Sequence, residues 1–158
     1  MSELAVDARP ETMTEAVVVR LGSGRFAVDL AEVGEVGRVL AITRIPGSPS
    51  WLAGVANWRG RLLPVLDLRP LLGADATPLD ARARLVVVTA DGIIAGLVVD
   101  AVDGTDLLGD VDDLPMAVAG GGTDLLLGQV PRDDGPIAVL DARAVLRLRD
   151  QLPRRRSS

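Results

Sequence analysis

The chain contains no cysteine, no histidine and no tyrosine, and all 17 of its basic residues are arginine. Each absence removes a class of chemistry. Without cysteine there is no disulfide, no zinc–thiolate site and no thiol nucleophile. Without histidine the commonest general base and the commonest metal ligand are gone. Without lysine there is no Schiff base and no Walker-type phosphate loop. Carboxylates, hydroxyls and arginines remain, and no convergent cluster of them marks a catalytic centre. The expectation is a non-enzymatic protein with no cofactor and no metal. Aromatics make up only 2% of the chain, so the core must be built from Val, Leu, Ile and Ala. With 48% hydrophobic residues in 158, that suffices for one domain or two small intertwined subdomains.

No apolar run approaches the length of a membrane span, so direct membrane insertion is not expected. Residues 1–15 carry acids where a secretory leader would need a basic start and an apolar stretch. The reading is a cytoplasmic, bacterial-type protein. A net charge of −5 disfavours general nucleic-acid binding. The charge is unevenly spread. No acidic residue falls between Glu35 and Asp67, whereas Arg38, Arg44, Arg59 and Arg61 do. The stretch from Ala74 to Leu146 is acidic, and Arg147 to Arg156 is basic.

The pattern of apolar residues is mainly that of β structure. Ala16 to Leu21 is an apolar run, Gly22-Ser23-Gly24 a turn, and Arg25 to Leu30 alternates, which predicts a hairpin. Leu85 to Thr89, Asp91-Gly92 and Ile93 to Val99 predict a second one. Further strands are expected at Leu62 to Leu66 and at Ile137 to Leu140. Pro64 demotes part of the former to an edge or a bulge. Another strand is expected near Leu125 to Val130, after a loose acidic and Gly-rich loop from Gly104 to Gly122. Helix is scarce: a turn over Ala31 to Val36 and short helices after Asp67 and Asp141. The units repeat. Pro64 to Leu72 is echoed by Ile137 to Leu146, each a strand, an Asp and an apolar helical turn, and the first hairpin is echoed by the second. A repeat of short β units argues for two small barrels.

Several motifs dissolve on inspection. Gly22 to Ala27 fits a dinucleotide fingerprint only formally, because a strand pattern follows where a helix is required. The acids from Asp100 to Asp113 lack calcium-loop spacing and read as a solvated loop. Gly120-Gly121-Gly122 has no lysine and is a loop. The Arg154-Arg155-Arg156 tail reads as a solvated end. Asp67 and Asp141 occupy the same context in each half, so both read as helix caps rather than as paired catalytic acids. Asn57-Trp58-Arg59-Gly60 is the exception. Asn57 and Gly60 suit a turn with positive φ. Adjacent Trp58 and Arg59 on that turn are what an interface uses.

Taken in order, Phe26 to Leu30, Val33-Gly34-Glu35-Val36, Ile45-Pro46, Pro49, Trp51-Leu52, Gly54-Val55, Asn57, Arg59-Gly60 and Pro64 to Arg69 resemble the CheW-like family of bacterial chemotaxis coupling proteins. Gly96 to Asp100 with Val102, and Ile137 with Val139-Leu140-Asp141, extend the resemblance over about Thr14 to Arg149. It implies an all-β fold of two intertwined five-stranded SH3-like barrels with short helices. It implies a CheW-like domain over 14–149, between a flexible 1–13 and a basic tail over 150–158. The implied function is an adaptor linking the cytoplasmic tips of methyl-accepting chemoreceptors to the regulatory domain of the histidine kinase CheA, at membrane-associated arrays. The same fold could serve another CheA-type two-component pathway controlling pilus motility or gene expression. Arg59 matches the family's sensitive arginine, and Val33, Glu35 and Val36 match a segment associated with partner contacts. With Asn57 and Trp58 these are the candidate partner-binding residues. Trp58 departs from the family, which usually has an aliphatic residue there. Gly34 and Gly37, flanking Glu35 and Val36, and the acidic Gly104 to Gly122 loop also depart from it.

Overall fold

The computed structural model describes residues 13–114 and 123–151. The expected N-terminal flexibility, the Gly120-Gly121-Gly122 loop and the Arg154-Arg155-Arg156 tail lie outside the described residues. Ten strands form two five-stranded sheets. They are β1 (Thr14–Leu21), β2 (Gly24–Asp29), β3 (Val33–Gly37), β4 (Leu52–Trp58), β5 (Arg61–Leu66), β6 (Arg84–Ala90), β7 (Ile93–Val99), β8 (Ala101–Leu108), β9 (Leu126–Val130) and β10 (Ile137–Leu140). The first sheet has the order β8-β1-β2-β10-β9 and the second β3-β6-β7-β5-β4. The second sheet is thus built from one continuous stretch, inserted between the strands of the first.

The two sheets follow one plan. A hairpin forms the middle of each: β1 with β2, and β6 with β7. A third strand runs parallel to the second hairpin strand, β10 beside β2 and β5 beside β7. The repeat extends to single residues. Thr43 bridges Val55 in one sheet and Asp112 bridges Gln129 in the other. Gly54 and Gly128 sit beside those bridges at φ 148° and 155°, where an added Cβ would lie 2.3 Å from the bridging carbonyl oxygen. Asp67 N–H donates to Trp51 O, and Asp141 N–H to Leu125 O, both at 2.8 Å. The sheets are not closed into hydrogen-bonded barrels.

The hairpin strands read as unbroken apolar runs because both of their faces are buried. Val17, Val19 and Leu21 of β1, with Val86 and Val88 of β6, enter a central core shared by the two sheets. Ala16 and Val18 face a smaller cluster belonging to the first sheet, and Leu85 and Val87 face one belonging to the second. Alternation along each strand therefore divides residues between two cores instead of between core and water. A helix, α2 (Ala142–Arg147), packs Ala142, Ala144, Val145 and Leu146 into the central core. Asp141 caps it by accepting from Arg143 N and Ala144 N at 3.1 and 3.2 Å.

Three expectations need correction. The turn expected over Ala31 to Val36 closes after Glu32, and Val33–Gly37 is a strand. The loop expected from Gly104 begins as strand β8, which pairs with β1. Pro64 bears out the expectation of a locally open strand: β5 lies inside its sheet but pairs with β7 only from Val65 onward, so the Pro64 nitrogen faces an unpaired side. Its cross-strand partner Val55 turns its own N–H and C=O away to Thr43, so no ladder bond is asked of Pro64 on either side. Finally, Asp67 is no simple cap. The one-turn helix α1 (Arg69–Leu72) has Leu68 at its N-cap. Asp67 accepts from Arg69 N at 3.1 Å and also takes the Arg69 guanidinium on both carboxylate oxygens.

That guanidinium is 6% exposed and is the buried charge of the described core. Arg69 donates to Asp67 at 2.9 and 3.0 Å, to Asp100 at 3.0 Å and to the Thr77 carbonyl at 2.8 Å. Asp100 in turn accepts from Gly22 N at 2.7 Å. The network ties the β1–β2 turn of one sheet to the end of β5 in the other. Its hydrogen bonds to Asp67 raise the Arg69 pKa further above its ordinary value, against the opposing effect of burial. Each of the three guanidinium nitrogens has an acceptor, which is what makes a buried charge tolerable.

Candidate partner interface

The turn between β4 and β5 is two residues long, Arg59 and Gly60, with φ 52° and 77°. Two consecutive left-handed residues define the type I′ turn, whose twist matches the flanking strands. The sequence places positive φ at Asn57 and Gly60; the structure moves the first of these to Arg59. Asn57 remains in β4 and its side-chain oxygen accepts from Gly60 N at 3.0 Å, closing the turn. A non-glycine residue held at positive φ carries strain, a cost that a glycine there would avoid.

Arg59 is 69% exposed yet not loose. Its guanidinium carbon lies 5.1 Å from the centre of the Trp58 ring. Its Nη2 donates to Glu35 Oε1, and Trp58 Nε1 donates to Glu35 Oε2 at 3.2 Å. Both donors hold the Glu35 carboxyl below the usual carboxylate range, the indole contributing most. Glu35 comes from β3 and Trp58 from β4, the two opposite edges of the second sheet. Side chains thus bridge the edges that backbone hydrogen bonds leave open.

The structure therefore brings Glu35, Asn57, Trp58 and Arg59 into one array. Val33 and Val36 are on the same strand as Glu35, but they divide: Val33 packs against the central core, whereas Val36 is exposed. Trp58 packs its ring against the second sheet's own core while presenting its N–H to Glu35. Arg38, Arg44 and Arg61 are exposed and form no ion pair among the described residues. Beside them stands Leu62, 74% exposed. Sequence reasoning did not single out Leu62, because a leucine in a strand pattern reads as core. It also read Asp67 as a cap and so missed the Arg69 network, although the Asp-Leu-Arg spacing was visible.

Nothing in this array resembles a reaction centre. No group of three or more potential metal ligands occurs among the described residues. None of their helices is long and apolar enough to cross a membrane. What the site offers is an ordered cation, an indole and exposed aliphatic carbon, a combination suited to a protein partner.

Comparison with known proteins gives this surface its context. The family model of the CheW-like domain matches residues 15–150. The chain belongs to the CheW-like domain family. Its relatives come from more than one branch. Protein PilI of Pseudomonas aeruginosa is 45% identical over 85 residues, covering 54% of this chain and 48% of PilI. The match thus spans about half of that relative's length. Protein FrzA of Myxococcus xanthus is 38% identical over 117 residues, covering 74% of this chain and 72% of FrzA. A probable chemotaxis protein CheW of Rhizobium etli is 36% identical, covering 63% of each chain. The crystal structure of the scaffolding protein TtCheW from Thermoanaerobacter tengcongensis superposes with a TM-score of 0.73 at 28% identity, over 81% of this chain and 88% of that one. This CheW-like chain shares its two-sheet scaffold, and its Arg59 turn stands on one of those sheets.

Proposed function

We propose that this CheW-like chain is a non-enzymatic adaptor that couples the cytoplasmic tips of chemoreceptors to the regulatory domain of a CheA-type histidine kinase, working in the cytoplasm at membrane-associated arrays. The observation that carries the reading is Arg59. It is exposed, strained at φ 52° and aimed by Glu35 and the Trp58 ring. Glycine would be the easier residue at that turn, so the arginine is kept for what it presents. Its pre-set orientation lowers the ordering cost of engaging a carboxylate or carbonyl on a partner. Val36 and Leu62 add apolar area, while the unpaired arginines set encounter rate and specificity. The mechanism is scaffolding, in which binding biases the kinase between states through differential affinity.

Similarity to PilI and FrzA as well as to CheW proteins favours a second reading at the pathway level. In it the same adaptor serves a CheA-type system that controls pilus motility or gene expression. Both readings meet one experiment. The wild-type chain should capture at least one CheA regulatory domain from its own organism in a pull-down, and the kinase captured assigns the pathway. Failure to retain any of them would remove the adaptor reading.

A further inference from the structure

Where β3 meets β6, the second sheet ends in a pair of arginines. The antiparallel ladder sets Val36 opposite Val86 and Gly37 opposite Leu85. Continued by one residue, that register sets Arg38 opposite Arg84. Side chains directly opposite on antiparallel strands share a face, and like charges placed so repel. Neither arginine takes part in an ion pair among the described residues. Both line one surface cavity of about 440 Å³, together with Val39, Leu79, Asp80 and Ala83.

Arg84 is held in place there. Its Nη1 donates to the carbonyls of Ala81 and Ala83 at 2.9 and 2.7 Å. Its Nε and Nη2 have no partner among the described residues, and no unpartnered side-chain nitrogen of these residues is buried, so both stay accessible. The acid lining the cavity does not neutralise the pair. Asp80 is already engaged by Arg82, accepting from its backbone N at 2.8 Å and its Nη2 at 2.9 Å. Two guanidinium forks therefore face one volume with positive charge left over. That arrangement suits a phosphate, whose terminal oxygens accept from both forks and whose charge matches theirs. The cavity is larger than a phosphate, and Val39, Leu79 and Ala83 give the remainder apolar walls. Its lining among the described residues includes no aromatic ring, so it offers an aliphatic body more than a stacked base.

We propose that this cavity binds a phosphate monoester of a small aliphatic molecule, with the phosphate clamped between Arg38 and Arg84 and the carbon body lying on Val39, Leu79 and Ala83. Binding relieves the like-charge pair and ties the edge strand β3, which supplies Glu35, to its neighbour β6. The site is separate from the Glu35, Trp58 and Arg59 array, since none of those residues lines it.

NMR titration of the full, nitrogen-15-labelled chain in a low-salt, phosphate-free buffer tests this, with monobutyl phosphate and inorganic phosphate as probes. Monobutyl phosphate should shift the Nε–H signals of Arg38 and Arg84 together, with a dissociation constant of about 1 mM or below. Inorganic phosphate should bind several-fold more weakly, because it leaves the apolar walls uncovered. Arg38→Gln alters an exposed side chain and should fold as wild type by circular dichroism, yet bind monobutyl phosphate about 10-fold more weakly. Arg147→Gln, at another exposed arginine without an ion pair among the described residues, should bind as wild type does. A wild-type chain that binds neither probe overturns the proposal. Equal affinity for the two probes also overturns it, since the site would then hold a bare anion and no ester. So does an equal loss in Arg38→Gln and Arg147→Gln, which would mark general surface charge.

Discussion

At the scale of single residues, the β4–β5 turn sets stability against presentation. Arg59→Gly removes a strained φ worth about 1 kcal/mol and loses an exposed ion pair that contributes little to stability. The variant should therefore melt at or above the wild-type temperature in a calorimetric scan, while losing partner capture. Trp58 supplies the largest part of the downward shift at Glu35. Trp58→Leu should move the Glu35 carboxyl up toward its ordinary range, read as a carbon-13 NMR titration of that side chain. The sign for stability follows from the depressed pKa. The Glu35 contribution is present above the ordinary carboxylate value of 4.5 and is lost as pH falls through the lower folded value. A mild acid weakening confined to that window should disappear in Glu35→Gln. The placement of Trp58 and Arg59 at a turn between two strands was legible in the sequence from residue type and position. Their link to Glu35 was not, because it spans the two edges of a sheet whose curvature no local pattern encodes.

At the scale of elements, legibility followed burial. The hairpins β1–β2 and β6–β7 announced themselves through long apolar runs and glycine-bearing turns. Three strands escaped, β3, β4 and β8, all of them edge strands, and β3 and β8 occupy equivalent edges of the two sheets. Neither of those two has a continuous buried face. Val33–Gly37 alternates only between half-buried and exposed, with two glycines, and β8 exposes five consecutive residues and bulges near Gly104. Edge strands of this kind keep no hydrophobic period to read. The bridging glycines were invisible for another reason: their need is a carbonyl from a distant segment. Gly54→Ala and Gly128→Ala should each destabilise the chain by more than about 2 kcal/mol in chemical denaturation, since backbone must shift on both sides of the contact. Gly60→Ala meets no neighbouring atom within 4 Å and should cost only the positive-φ strain of about 1 kcal/mol.

At the scale of the whole molecule, two sheets of one design are held together by a shared, mainly aliphatic core that also buries Phe26 and Trp51, and by a buried ion network. Arg69→Met should cost about 3 kcal/mol, measured by denaturant unfolding, because it strands the carboxylates of Asp67 and Asp100. The repeat was readable from the two strand-Asp-helix units. The departures from it were not. Among the described residues, the second sheet carries the two-residue turn with Arg59 and the first carries an apolar cleft. An adaptor needs such asymmetry, because equivalent ends would not distinguish one partner from another. The central claim is that the Arg59 surface engages the partners. Co-sedimentation of the chain with receptor tips and kinase tests it most directly, comparing wild type with Arg59→Glu after circular dichroism has shown both folded. The account predicts that the variant, altered at a residue 69% exposed, folds normally and is depleted from the sedimented complex. A folded Arg59→Glu chain that sediments with receptors and kinase as well as wild type does would contradict it.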